Sequence, residues 1–197
     1  MKRMADVSSG DARKRLLAAT ERLIYAEGIC ATGMDRIVRE SGVARKTVYR
    51  YFRTKEELVA EALRERDARW MRWFIDTCHQ ADTPDGRLLA AFDALEAWFS
   101  TPDFRGCAFI NAAGEVGDAD AVIRRVAREH KLKLRDFLSQ LAREHGAAHP
   151  EELAAEFLIL IDGAITVALV LGHAGAARDA RRLAQRLLSS SCPPSPS

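Results

Sequence analysis

The nineteen residues from Met34 to Phe52 read MDRIVRESGVARKTVYRYF, and they constrain the fold more than any other stretch. Ile37 and Val38 belong to a short helical pattern that runs into Ser41-Gly42-Val43. A second short helix follows, with Val48 and Phe52 on its inner face. Two helices joined by a tight glycine-containing turn, the second carrying basic and hydroxyl side chains, form the signature of a DNA-reading helix-turn-helix. Gly42 permits the positive φ that reverses the chain without a Cβ clash. Val43 and Val48 then lock the helices together, leaving Arg45, Lys46, Thr47, Tyr49 and Arg50 outward. The competing reading is a plain helical hairpin with a solvated charged face, and the tight register of apolar and basic positions argues against it.

The charge distribution agrees. Net charge is only +2, but residues 1–55 hold 13 Lys+Arg against 6 Asp+Glu, while the remainder holds 17 against 22. A basic quarter on an acidic remainder is the footprint of a nucleic-acid head on a separate body. With 197 residues, 48% of them apolar, the chain can build a substantial core. The four cysteines, Cys30, Cys78, Cys107 and Cys192, are widely spaced, with neither metal-ligand spacing nor a disulfide framework. No signal peptide precedes the first helix, so a reducing cytoplasm is expected. The longest apolar run, Phe157 to Leu171, is 15 residues broken by Asp162 and Thr166. A spanning helix needs about 20 residues, so a buried helix and no membrane partner are expected.

Helical periodicity accounts for the rest. Residues 1–11 read as a flexible arm, and a first helix spans about Ala12 to Glu27, with Leu16, Leu17, Thr20, Leu23 and Ile24 on one face. Gly28 ends it, and Thr32 or Gly33 caps the next, with Thr32 and Asp35 spaced as an acidic capping box. Thr54 and Glu57 form a second box, opening a helix to about Cys78 that would span roughly 36 Å. Further helices are expected from Thr83-Pro84-Asp85 to Phe99, about Phe109 to Val116, Ala119 to His145, Glu151 to Leu171, and Ala176 to Leu188. No strand pattern or repeat is visible. The expectation is an all-α chain: a three-helix DNA-binding domain over 1–54, a long connecting helix into a ligand-binding and dimerisation bundle over 55–188, and a disordered tail over 189–197.

From Ala12 to Leu58 the sequence resembles the DNA-binding head of the TetR family of transcriptional regulators. The resemblance rests on Leu23-Ile24-Tyr25-Ala26-Glu27-Gly28, on Thr32 to Ile37, and on Ser41-Gly42-Val43. It continues through Lys46-Thr47-Val48-Tyr49-Arg50-Tyr51-Phe52 and Thr54-Lys55-Glu56-Glu57-Leu58. Phe104-Arg105-Gly106-Cys107-Ala108-Phe109-Ile110-Asn111 is similar to a segment in one branch of that family. Gly33 and Val38 depart from the commoner Ser/Thr and Ala. The resemblance implies a homodimer on a palindromic operator, most simply a repressor, released by a small, mostly apolar effector bound in the C-terminal domain.

By that resemblance Thr47 and Tyr49 would donate to phosphate, with Thr32 and Lys55 joining them at two helix N-termini. Arg45, Lys46 and Arg50 are the candidates for base edges, since Arg reads guanine bidentately. Tyr51 is divided between DNA contact and packing on the first helix. Helical regulators of this kind keep an apolar pocket with few polar anchors. The candidates to line it are Trp70, Phe74, Phe92, Trp98, Cys107, Phe137 and Thr166, with Asn111 and Asp162 as polar anchors. For Asp162 a structural ion pair, and for Thr166 a bond to its own backbone, stand as the alternatives. Cys107 is also open to oxidant sensing, without any local thiolate-stabilising pattern. Phe157, Ile161, Ala164, Ala168, Leu183 and Leu187 would form a two-fold four-helix contact between chains. Neither a metal nor a cofactor is called for: His145 and His149 are separated by helix-breaking Gly146 and Pro150, and no triad or phosphate loop suggests an enzyme. The runner-up is a ligand-independent architectural or activating DNA-binding protein.

Overall fold

The computed structural model describes residues 2–191, with side chains from Gly10 onward. Among them the chain is helical throughout, with nine helices and no strand: α1 (Lys2–Glu27), α2 (Met34–Ser41), α3 (Arg45–Tyr51), α4 (Lys55–Cys78), α5 (Pro84–Phe99), α6 (Ala108–Glu115), α7 (Val122–His145), α8 (Pro150–Leu171) and α9 (Ala176–Ser191). The all-α expectation holds.

Several boundaries differ from expectation. Helix α1 begins at Lys2, so residues 2–11 of the segment read as a flexible arm are helical. That segment holds no proline, and an Arg15–Asp11 pair of 2.7 Å supports the helix at (i, i+4) spacing. The α2 cap is Gly33 with no side-chain bond; Thr32, the other candidate, donates instead to the Gly28 carbonyl at 2.7 Å. Helix α7 starts three residues later than expected because the Asp118 carboxylate accepts from the Asp120 N–H, holding a turn. Helix α9 runs three residues past Leu188, and Cys192 with the rest of the expected tail lies outside the described residues.

The chain contacts divide it into two compact units, at places other than the 54/55 boundary. The first holds the chain through Arg69 together with Ala108–Glu129. Its core is Leu16, Leu17, Leu23, Ile37, Val43, Val48, Phe52, Leu58 and Ala62, with Tyr51 and Val38 packed against it. Charged side chains bind α1 to α4 across this core. Arg13 reaches Glu61 at 2.5 Å and Glu65 at 3.1 Å, while Glu21 takes Arg66 at 3.0 Å and also Arg69. Arg66 lies 3.8 Å over the Tyr25 ring. The second unit holds Trp70–Cys107 and the chain from His130 onward, with α5, α8 and α9 packed on one another. Its buried interior includes Phe74, Leu88, Phe92, Leu95, Leu134, Leu138, Phe157 and Ile161.

Helix starts are encoded locally. Thr54 Oγ1 accepts from the Glu57 N–H at 3.1 Å, and the Glu57 carboxylate accepts at 2.8 Å from Arg53, one residue before the cap. Thr83 accepts from the Gly86 N–H, and a Cβ on Gly86 would fall 2.8 Å from that hydroxyl.

Helix α8 has 22 residues, with a mean hydropathy of 2.2 over an 18-residue stretch, long and apolar enough to cross a membrane by length and composition. It carries two distinct faces. Phe157, Ile161, Ala164 and Ala168 are buried inside the chain, whereas Ile159 and Val170 are 71% and 72% exposed.

Gly42, at φ 62°, sits in the left-handed region with open space around its α-carbon. Gly42→Ala should therefore cost only the backbone term, about 1–2 kcal/mol, read as a lower urea midpoint with an unchanged m-value.

Candidate nucleic-acid interface and aromatic cluster

Helix α3 has only seven residues, and one of them, Val48, is fully buried. Burying Val48 and the following Phe52 against the Leu16–Ile37 core turns the rest of the helix to solvent. Lys46, Arg50 and Arg45 are exposed, Tyr49 is 44% exposed, and Thr47 is half-buried. Two rings order the arginines. Arg45 lies 6.0 Å from the Tyr49 centroid and Arg50 5.3 Å from that of Tyr51. Arg45 is also paired with Asp35 of α2. The face is therefore a preset basic and phenolic surface rather than a set of loose side chains.

The remaining head candidates are placed differently. Tyr51 is half-buried and packs on the head core, the second of the two placements considered for it. Thr32 is fully buried, its hydroxyl committed to Gly28. That corrects its assignment as an outward phosphate donor: the α1–α2 turn uses the side chain to satisfy its own backbone. Lys55 is half-buried and donates from Nζ to the Ile29 carbonyl at 2.5 Å, with two N–H groups of the ammonium remaining.

A residue absent from the sequence candidates joins this turn. Glu115, the last residue of α6, accepts from the Ile29 N–H at 2.9 Å and the Cys30 N–H at 2.8 Å, one on each carboxylate oxygen. Gly28, at φ 93°, leaves room for it, since a Cβ there would lie 3.0 Å from both oxygens. Burial by itself would raise the Glu115 pKa, but the bonds from Cys30 and Ile29 and the Lys55 charge outweigh it, and the carboxyl is held below its ordinary value. The partners lie 86 and 85 positions away in sequence. The one local hint is an acidic side chain in a last helical turn, where the helix dipole disfavours it.

The pocket candidates separate into groups. Trp70, Phe74 and Trp98 come together in the second unit, with Trp73 and His130 at their edges and Phe137 6.2 Å from Phe74. Phe92 is buried against Phe157 at 5.7 Å. Cys107 is buried. Asn111 belongs to the first unit, on a crevice of about 10 Å³ with Ile24, Tyr25, Ile29, Leu63 and Glu115, room for one water at most. Asp162 pairs with Lys131 at 2.5 Å, and Thr166 is exposed and donates to the Asp162 carbonyl at 2.9 Å. Asp162 and Thr166 thus both take the structural alternative. His145 is likewise engaged, by Asp85 at 2.5 Å and Ser191 at 3.1 Å.

The expected dimer residues need a correction. Phe157, Ile161, Ala164 and Ala168 lie on the inward stripe of α8, and Ala176, Ala177, Ala180 and Ala184 on that of α9, so the small residues serve close packing within the chain. Helix α8 exposes the stripe two positions away, Ile159, Gly163, Val167 and Val170, beside Leu171. Of the expected set, Leu183 is 47% exposed and Leu187 half-buried.

Residues 16–62 match the sequence model described as bacterial regulatory proteins, tetR family, and 84–184 match a tetracyclin repressor-like C-terminal domain. The HTH-type transcriptional regulator LmrA of Bacillus subtilis (strain 168) is 28% identical over 168 residues, covering 83% of this chain and 89% of its own. YjdC of Escherichia coli (strain K12), also an HTH-type transcriptional regulator, is 24% identical over 179 residues, covering 89% and 93%. A TetR-family regulator of Streptomyces coelicolor superposes with a TM-score of 0.85 at 28% identity, covering 93% of this chain and 97% of that one. A putative regulator of the same kind from Streptomyces avermitilis MA-4680 gives 0.83 at 28% identity, covering 91% and 97%.

The Glu115 bonds make a pH-dependent contribution. A carboxyl whose folded pKa is depressed stabilises above its unfolded value and loses that contribution as pH falls through the folded one. Glu115→Gln should cost about 1–2 kcal/mol at pH 7, and the gap from wild type should close on acidification below the ordinary carboxylate range. A gap independent of pH in urea unfolding would assign the loss to shape rather than charge.

Proposed function

The chain belongs to the TetR family of transcriptional regulators, and on that premise we propose that this DNA-binding regulator is a repressor that grips a palindromic operator as a homodimer and is released by a small, mostly apolar effector. The observation that carries the DNA reading is the outward face of α3, whose basic and phenolic groups are exposed because Val48 and Phe52 are buried. In this reading α3 enters the major groove, and two-fold symmetry sets half-sites about one helical turn, roughly 34–36 Å, apart. Arg45, Lys46 and Arg50 meet base edges; Thr47, Tyr49 and Lys55 meet phosphate; Tyr51 supports Arg50 from beneath. Thr32 is dropped from the contact set. The functional division remains a DNA-binding segment to residue 54 and an effector-binding and dimerising segment from 55 to 188, in a cytoplasmic protein.

The dimer reading is supported by the exposed α8 stripe. Ile159, Val167 and Val170 present a contiguous apolar surface to solvent, with Leu171 beside them and Leu183 exposed on α9. An isologous contact between two copies hides that surface, and Gly163 at its middle allows close approach. The effector reading is supported by the aromatic cluster of the second unit. Ligand binding there releases DNA only through unequal affinity for the DNA-competent and released states.

Two measurements test this. Tyr49→Phe combined with Lys55→Ala should weaken binding to operator and random DNA alike, and should lower the slope of log K against log salt by about one for the lost lysine. Arg50→Ala should instead relax sequence preference at one position by about 1–3 kcal/mol; a uniform loss would reassign Arg50 to the backbone. Separately, Ile159→Glu with Val170→Glu should give a monomer in sedimentation and lose operator affinity. Ile161→Val, on the inward stripe, should cost about 0.5–1.5 kcal/mol of stability and leave the dimer intact.

A further inference from the structure

All three tryptophans of the chain gather in one cluster on α4 and α5. Trp70 stacks on Phe74 at 4.8 Å and 13°, and meets Trp73 at 6.0 Å, Trp98 at 5.9 Å and His130 at 5.2 Å, each edge-on. Trp98 continues to Phe104 at 5.1 Å. The cluster is not sealed: Trp70, Trp98 and Phe104 are half-buried and Trp73 is 38% exposed.

Inside this cluster the Trp70 Nε1–H is buried with no hydrogen-bond partner. An indole has a single donor, so an unmade bond leaves it wholly unsatisfied, a state that folded proteins avoid. Among the rings around Trp70, His130 alone carries a nitrogen that can accept a hydrogen bond.

We propose that Trp70 Nε1–H is the anchor for a planar, neutral aromatic effector carrying a carbonyl-type acceptor oxygen, stacked among Trp73, Phe74 and Trp98. A donor-only group selects an acceptor and repels a cation. No cation lies over a ring of the cluster among the described residues, and Lys131, next to His130 in sequence, is paired with Asp162. That disfavours a carboxylate or sulfonate and leaves a neutral ketone, ester or amide oxygen. The flat faces of three indoles suit an aromatic ring system over a branched aliphatic one. This inference rests on the effector reading of the second unit and gives that effector a chemical class.

The test uses a matched pair, 2-acetylnaphthalene and 2-isopropenylnaphthalene, in which a carbonyl oxygen is replaced by a methylene on the same carbon skeleton. Equilibrium dialysis against the full-length wild-type chain should show the ketone bound about three- to tenfold more tightly, the range for one net neutral hydrogen bond. Trp70→Phe keeps an aromatic ring and removes the donor, so the preference should fall to within about twofold. Trp73→Phe should keep the preference. Equal binding of the pair to wild type, a preference that survives in Trp70→Phe, or no ketone binding overturns the anchor. The wild-type comparison alone decides the matter if a variant fails to fold. Fluorescence anisotropy of labelled operator separates the two readings. A Trp70-dependent preference without operator release keeps the anchor and removes the effector role; operator release by both compounds alike keeps the effector role and removes the anchor.

Discussion

The exposed basic face of α3 depends on the burial of Val48. A seven-residue helix is too short to persist in water, because nucleation fixes several dihedrals for each early hydrogen bond and few bonds follow. Helix α3 exists because its two turns sit on Ile37, Leu16 and Leu58, with Val48 at 0% exposure and Phe52 closing the end. The same contact sets the rotation of the helix. With Val48 inward, the residues one and two positions away, Thr47, Tyr49, Lys46 and Arg50, point sideways or outward. A change at Val48 would move the recognition face as a whole.

The α1–α2 turn shows how such a small head is kept rigid. Its carbonyls and N–H groups at Gly28, Ile29 and Cys30 lie beyond the last intrahelical bonds of α1 and need partners from elsewhere. Thr32 takes the Gly28 carbonyl, Lys55 takes the Ile29 carbonyl, and Glu115 takes both N–H groups. Three elements, the α2 approach, the α4 start and the α6 end, therefore converge on three residues of backbone. Lys55 serves two purposes in the proposed complex. Its bond to Ile29 fixes the stem while the remaining N–H groups face the anion, so its phosphate contact costs less ordering than that of a free surface lysine.

Local patterning carried much of this into the sequence. The inward apolar positions of α1 and α3, the positive φ of Gly42, and the Thr54 and Thr83 caps all follow from interactions within four residues, and all are found. Long-range satisfaction did not show. Nothing near Glu115 announces that its carboxylate meets Ile29, and nothing near Thr32 separates an outward hydroxyl from one bonded four residues back. Asp162 read as a possible anchor because a carboxylate in an apolar run needs a partner; that Lys131 supplies it depends on how α7 and α8 pack. Asn111 and Cys107, four residues apart and read as one pocket, fall in different units.

Helix α8 exposes the limit of periodicity most clearly. It is apolar nearly all round, so every stripe scores as buried and the pattern cannot say which one meets the rest of the chain. Ala164 and Ala168 decide it physically: they share the inward stripe with Phe157 and Ile161, and small side chains there let α9 approach through its own alanines. The larger residues Ile159, Val167 and Val170 are left on the opposite face, where bulk is no obstacle to an unpaired helix and becomes buried area once a partner arrives. Small residues within the chain and large ones outside it are what a helix needs when it packs closely on one side and associates on the other.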